Sequence, residues 1–174
     1  MDIIGLMKRI IPFTLIGLGT LFVIAAIGWV YFDNTMRNPA TLFLPEQLAG
    51  LPLSSQMNGP QAVEDFSNLH GKQFPLTSGA LGIYGNQQAT LWVAGAPINF
   101  MAANMVTDMH DKIAVGNSPF TPSGEYLDNK RTIYKLEGMG QKHFYFQSKN
   151  LVIWLTADAE IAEIALQQLK EFYP

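Results

Sequence analysis

The sequence of 174 residues contains no cysteine. This absence excludes a disulfide framework, a thiolate metal site, a cysteine nucleophile and a lipid anchor attached through cysteine. Charge is also scarce, since 11 Lys and Arg stand against 14 Asp and Glu, and the net charge is −3. A chain with this balance lacks the basic excess that attracts nucleic acid, so we expect no nucleic-acid partner.

The common motifs of catalysis and cofactor binding are missing as well. The sequence has no GxxxxGK[ST] phosphate loop, no GxGxxG fingerprint and no EF-hand loop. Its histidines, His70, His110 and His143, stand too far apart for an HExxH or His-x-His pair. We therefore expect no catalytic residue and no cofactor, and we interpret the chain as a protein other than an enzyme.

A metal site is one alternative to this interpretation. Met101, Met105 and Met109 recur every four residues along a predicted helix, and His110 stands beside them. Thioether and imidazole groups together form a soft ligand set that suits Cu(I). Core packing explains the same row more simply, because Met fills irregular cores and other apolar residues share its face: Ile98, Val106 and Ile113. We expect no metal, and the four residues are the candidates if one is bound.

A long apolar segment lies near the start of the chain. From Ile10 to Phe32 there is no charged residue, and a helix of about 23 residues is some 34 Å long, against a hydrocarbon core near 30 Å. Lys8 and Arg9 immediately precede this segment, so the positive-inside rule places the N-terminus in the cytoplasm. We predict a single-pass protein of the cell membrane with residues 1–9 cytoplasmic, an uncleaved signal anchor over 10–32, and the remainder extracytoplasmic.

A stripe of small residues runs along this predicted helix. At 100° per residue, Thr14, Gly17, Ala25 and Gly28 fall within about 80° of one another. Small side chains let a second helix approach closely, so we predict that the stripe packs against a transmembrane helix of a partner. The expected partners are therefore the lipid bilayer and other subunits of a membrane complex.

The start of the apolar segment also resembles a known family. The run FTLI at 13–16, followed by apolar residues, is similar to the processed start of type IV pilins, whose N-terminal helix packs into a filament and whose head mixes helix and strand. The sequence departs from the pilin pattern at Pro12, where the family has Gly, and at Gly17, where it has Glu. Pro39 and Pro45 also interrupt the long helical stalk that a pilin needs. These departures disfavour a pilin-like filament subunit, which stays an alternative behind the functions given below.

The rest of the chain divides into a tether and one domain. Several prolines among Asn, Ser and Gly predict an extended tether over 33–58, and a single domain follows over 59–174. Apolar patterns with period two predict strands at 80–84, 89–94, 132–137, 143–147 and 151–156. Helical patterns predict helices at about 60–71, 97–115 and after residue 158. We expect an α+β fold with an antiparallel sheet of about five to six strands and helices packed on one face.

Two stretches of the domain resemble each other, Tyr84–Val106 and Phe146–Gln168, with Trp92 and Trp154 in corresponding positions. Each reads as turn, apolar strand, short connection and helix. The sheet can therefore be read as two ββα-type repeats or as two independent units of a common kind.

Aromatic residues concentrate on one strand of the predicted sheet. Phe144, Tyr145 and Phe146 are consecutive, and Tyr134 stands on the neighbouring strand. A sheet covered by helices on one face would leave part of this set exposed, which predicts a docking surface. Our leading hypothesis is a non-catalytic accessory or assembly subunit of a larger membrane complex. The alternative is a tethered extracytoplasmic module that binds a solute or a metal.

Overall fold

The computed structural model describes residues 3–71, 73–116 and 118–174, and the side chains of the first helix from residue 11 onward. The chain forms two compact units that divide between Arg37 and Asn38. The first unit is a single helix, α1 (Ile3–Arg37), and the second is a domain of strands and helices.

Helix α1 is apolar over most of its length. Between Ile11 and Arg37 it contains a window with a mean hydropathy of 2.2, none of which is buried within the chain. The helix is therefore long and apolar enough to span a membrane. It continues beyond Phe32, where the predicted span ends, and its last turn holds an ion pair in which Arg37 Nε lies 2.7 Å from Asp33 Oδ2.

The second unit contains nine strands and three helices among the described residues. The strands are β1 (Ala40–Thr41), β2 (Gln47–Leu48), β3 (Leu51–Asn58), β4 (Ser78–Tyr84), β5 (Ala89–Gly95), β6 (Thr121–Asp128), β7 (Arg131–Gly138), β8 (Gln141–Ser148) and β9 (Leu151–Ala157). The helices are α2 (Pro60–His70), α3 (Asn99–Ala114) and α4 (Ala162–Phe172). The prediction of an α+β fold with an antiparallel sheet is confirmed, but the sheet has more strands than the five or six expected.

The strands form one sheet in the order β2-β3-β4-β5-β9-β8-β7-β6, and β1 pairs in parallel with the start of β4. Strands β5 and β9 lie at its centre, where Trp92 is directly opposite Trp154. Buried and half-buried residues alternate along β5, as expected when successive side chains point to opposite faces. On each side of this central pair the strands are neighbours in chain order, β2 to β5 on one side and β6 to β9 on the other.

Helices cover both faces of the sheet, so the expectation of helices on one face was wrong. Helix α3 packs with Val152 and Tyr145 in one apolar cluster, whereas α4 packs with Ile153 and Phe144 in another. Adjacent residues of a strand point to opposite faces, so the two helices lie on opposite sides of the sheet. The likeness between the two ββα stretches therefore holds for their strands and not for the placement of their helices.

Helix α2 lies on the same face as α3 and approaches β4 closely. Its boundaries agree with the predicted ones, because Pro60 occupies its first turn and Gly71 ends it in a left-handed conformation. A Cβ atom on Gly79 of β4 would lie only 2.9 Å from Val63 Cγ2. This glycine is therefore needed for the helix to pack directly against the strand.

Residues 38–58, predicted as most of an extended tether, instead belong to the domain. Strands β1 and β3 both pair with β4, and β2 and β3 form a hairpin. The prolines led to the wrong prediction, because Pro52 lies inside β3, near its start. It is opposite Gln47 of β2 and precedes Leu53, the first residue of β3 in register with β4. Proline is tolerated near the start of a strand, where a ladder hydrogen bond from its nitrogen is not needed.

A segment that we call the strap, residues 42–49, is bound to the core. The Tyr84 hydroxyl donates a hydrogen bond of 2.9 Å to the Pro45 carbonyl, and the Tyr173 hydroxyl donates one of 2.8 Å to the Phe43 carbonyl. Both tyrosines are buried, which leaves these carbonyl groups as the acceptors for their hydroxyls. Two apolar residues of the strap enter the core, Leu44 and Leu48.

Candidate functional site

A row of stacked aromatic rings crosses the half of the sheet that carries β7, β8 and β9. Tyr134 and Tyr145 are directly opposite one another, as are Tyr145 and Trp154. Their ring centroids lie 4.6 and 5.3 Å apart, and both pairs are nearly parallel at 10° and 11°. Directly opposed positions in an antiparallel sheet bring side chains this close, so the register of the strands builds the row.

The predicted docking surface is mostly buried in this structure. Phe144, Tyr145 and Phe146 are each at most 1% exposed, and Tyr134 is half-buried. Phe144 and Phe146 lie under α4, while Tyr145 lies under α3. Because helices cover both faces, the consecutive aromatics serve the two sides of the core. They cannot form a docking surface without unfolding, and that prediction is corrected.

A small cleft opens beside the aromatic row, between the end of α3 and the edge strand β6. It has a volume of about 210 Å³, and its polar lining includes His110, Glu125, Tyr134 and Tyr145. The Tyr145 hydroxyl lies 3.4 Å from His110 Nδ1, and the His110 ring lies 4.8 Å from that of Tyr134. An imidazole, a carboxylate and two phenols therefore line the same cavity.

The chemistry open to this cleft is limited by the state of Tyr145. Burial raises the pKa of its hydroxyl, and the neighbouring Tyr134 and Glu125 raise it further. The hydroxyl therefore remains protonated at neutral pH and can donate a hydrogen bond, but it cannot act as a base. The cleft is also smaller than the roughly 300–1,000 Å³ of typical ligand pockets.

The methionine row on α3 forms part of the core. Met101, Met105 and Met109 are half-buried and pack against the apolar cluster beneath α3. His110 belongs to the cleft described above, next to Tyr134 and Tyr145. No group of three or more His, Asp or Glu residues in the described chain is arranged to hold a metal ion.

His143 is a buried histidine with a structural role. Its Nδ1 lies 2.9 Å from the Thr156 hydroxyl and its Nε2 lies 2.9 Å from the Gly138 carbonyl. A carbonyl only accepts hydrogen bonds, so Nε2 carries the proton and Nδ1 accepts from Thr156. The Trp154 indole N–H donates to the same hydroxyl at 3.2 Å. Burial lowers the pKa of His143, which keeps the ring neutral at physiological pH.

A polar groove of about 440 Å³ lies at one end of the sheet, between the start of α3 and two hairpin turns. Lys130 and Lys149 project from these turns and are exposed. Arg131 also borders the groove, but its guanidinium donates to the Lys170 carbonyl at 2.8 Å and is paired with Asp128. The sequence analysis missed this groove because neither turn shows a motif.

The small-residue stripe of α1 lies in the first unit. Gly17 and Gly28 have open space around them, with no atom within 4 Å of an added Cβ. Apolar residues on all sides of the helix are exposed, among them Leu15, Phe22 and Trp29.

Comparison of the chain with models of protein families, with curated proteins and with solved structures found no significant match in any of the three.

Proposed function

We propose that the protein is a single-pass membrane protein whose extracytoplasmic α+β domain is a non-catalytic accessory or assembly subunit of a larger membrane complex. The observation that carries this proposal is α1, whose apolar window is entirely unburied within the chain. An apolar helix of this length requires lipid or another apolar partner around it. Lys8 and Arg9 before the span support a cytoplasmic N-terminus.

The domain offers a second contact surface at strand β6. This strand is the last in the sheet, so its outer edge has no partner strand within the described chain. Pro122 and an irregular register up to Gly124 disturb its first half, as is typical of protected edges. The second half pairs regularly with β7 and exposes Leu127 to 74%. We propose that Glu125–Asp128 accepts a strand of the partner protein.

Purification of the full chain from its native membrane in mild detergent tests the assembly role. We expect stoichiometric recovery of at least one other chain, and recovery of the monomer alone would overturn the proposal. Leu127→Lys should reduce that recovery, because a charged edge discourages strand pairing. Met139→Lys is the matched control, since Met139 is 80% exposed at a different hairpin. Both variants should melt like the wild type because neither side chain is buried.

The absence of cysteine makes the topology directly testable. A single cysteine replacing Met139 in the domain should react with a membrane-impermeant maleimide on intact cells, whereas one replacing Asp2 should react only after lysis. The reverse pattern would show that the domain is cytoplasmic.

The cleft of His110, Glu125 and Tyr145 supports a second candidate, a tethered module that binds a small solute. Its convergent polar groups on an apolar floor are typical of ligand sites, although its volume restricts it to a small molecule. Native mass spectrometry and metal analysis of the purified chain test this candidate. A retained small molecule that Tyr145→Phe abolishes would support it, and a ligand-free chain would leave the accessory role as the better account.

A further inference from the structure

We propose that the end of the domain that carries Lys130 and Lys149 rests on the bilayer and binds anionic lipid headgroups. This inference rests on the proposed membrane anchoring and adds to it a lipid class and a contact surface. We call this surface the basic end and define it by Ile98, Phe100, Lys130 and Lys149.

The chain enters the domain from α1 at the same end of the sheet that carries the basic end. Ala40 of β1 pairs with Ser78, and the same row continues through Gly95 to Leu151, which follows the turn of Lys149. Only two residues separate the end of α1 from Ala40, so covalent geometry limits that gap to about 11 Å. Within the domain, three strand spacings separate Ala40 from Leu151, about 14 Å. The basic end is thus the end of the sheet at which the chain arrives from α1.

The exposed side chains of the basic end suit an anionic interface. Lys130 and Lys149 are exposed on two hairpin turns beside the polar groove, and Ile98 and Phe100 are 56% and 68% exposed at the start of α3. Lysines near an anionic membrane surface attract its headgroups, while apolar and aromatic side chains enter the interfacial region. The combination of exposed apolar and basic residues fits a membrane surface better than bulk water.

Hydrogen bonds join the start of α3 to the turn of Lys149. The Gln147 side-chain amide donates to the Asn99 carbonyl at 2.9 Å and to the Lys149 carbonyl at 2.6 Å. Asn150 and Ala96 exchange two further hydrogen bonds of 2.8 Å. The start of α3 and the turn of Lys149 are therefore fixed relative to each other, so apolar and basic groups can meet the bilayer together.

The two turns allow the lysines to be removed without harm to the fold. Lys130 and Lys149 have φ angles of 69° and 53°, a left-handed conformation that glycine adopts more easily than lysine. Lys130→Gly and Lys149→Gly should therefore leave the melting temperature unchanged or raise it, while both charges are lost.

A fluorescence experiment on the full chain in lipid nanodiscs tests the inference. A single cysteine replacing Phe100 is labelled with an environment-sensitive fluorophore, and quenching by spin-labelled lipid is measured. The discs contain phosphatidylcholine with or without phosphatidylglycerol. We expect stronger quenching of the Phe100 label in the anionic discs. Each lysine should increase the ratio of membrane-bound to free domain surface by about 5-fold. A label at Met139, at the opposite end of β7 and β8, should show no quenching in either disc.

The double variant Lys130→Gly/Lys149→Gly should lose the additional quenching in anionic discs, whereas Lys112→Gln, at the far end of α3, should keep it. A label replacing Ile24 in α1 reports membrane insertion independently. If the Ile24 label is not quenched, the proposed anchoring fails. If it is quenched while the Phe100 label stays unquenched, or the double variant behaves like the wild type, only the lipid contact is overturned.

Discussion

His143 couples the stability of the domain to pH. Its ring is buried between Phe120 and Trp154, with centroids 4.6 and 5.8 Å away, and its folded pKa is lowered by burial. The unfolded chain, with a histidine pKa of about 6.5, therefore takes up a proton at higher pH than the folded chain. Stability is fully present above that value and is lost as the pH falls through the folded pKa.

We therefore expect the unfolding midpoint of the chain to decrease between pH 7.5 and pH 5, as measured by near-UV circular dichroism. His143→Gln removes the titrating group and keeps a donor and an acceptor, so its midpoint should fall less over the same range. His110→Gln should retain the full decrease. An identical decrease in all three proteins would show that His143 is not the source.

Truncation of Trp154 should destabilise the domain, whereas truncation of Trp29 should not. Trp154 stacks on Tyr145, and its ring centroid lies 5.1 Å from that of Phe120, whereas Trp29 is 69% exposed on α1. We expect Trp154→Ala to reduce the free energy of unfolding of the domain by about 3 kcal/mol, the lower end of the range for buried aromatics because Trp154 is half-buried. Trp29→Ala should leave it unchanged. Equal melting temperatures would show that the aromatic row does not stabilise the domain.

Among the elements, α1 either packs against a partner helix through its small-residue stripe or contacts only lipid, and variants of the stripe distinguish the two cases. Leu at both Gly17 and Ala25 keeps the helix apolar, so insertion and domain folding should not change, but the larger side chains should exclude a neighbouring helix. We expect recovery of the partner in mild detergent to fall. The matched control places Leu at Gly19 and Ala26, about 120° to 140° around the helix from Thr14. If both double variants recover the partner equally, α1 contacts lipid alone.

At the scale of the whole molecule, the strap and the first three strands decide where the domain begins. A fragment over 59–174, the predicted domain, would lose β1, β2 and β3 and leave the hydroxyls of Tyr84 and Tyr173 without acceptors. Loss of the two buried leucines of the strap should reduce the free energy of unfolding by about 1.5–3 kcal/mol for each leucine. Against a total stability of about 5–15 kcal/mol, this loss is severe.

We expect a fragment over 38–174 to unfold cooperatively in urea and the 59–174 fragment to be unfolded or aggregated. Tyr84→Phe in the longer fragment is the control for a single lost hydrogen bond and should reduce stability only moderately, by about 1 kcal/mol. If the two fragments unfolded at the same urea concentration, the strap would contribute nothing to the core.

Strong local patterns predicted the centre of the sheet correctly. Alternation along β5 and β9 and the glycine-containing turns between neighbouring strands are local signals, and the structure contains these strands. The outer strands β3 and β6 were missed because each carries a proline and no buried residue, so no alternation of apolar residues marks them in the sequence. Strand prediction here was accurate where burial imposed a pattern and failed where one edge faces solvent.

The apolar N-terminal helix, the α+β class and the packing of the methionine row of α3 against the core were predictable from the sequence, because each follows from a pattern repeated within one segment. The tertiary structure alone decided which face each helix covers. Periodicity shows that β8 has residues for two faces, but whether Tyr145 or Phe144 meets solvent depends on where α3 and α4 return to the sheet. The cleft and the basic end likewise join residues from several elements, and only the folded chain brings those residues together.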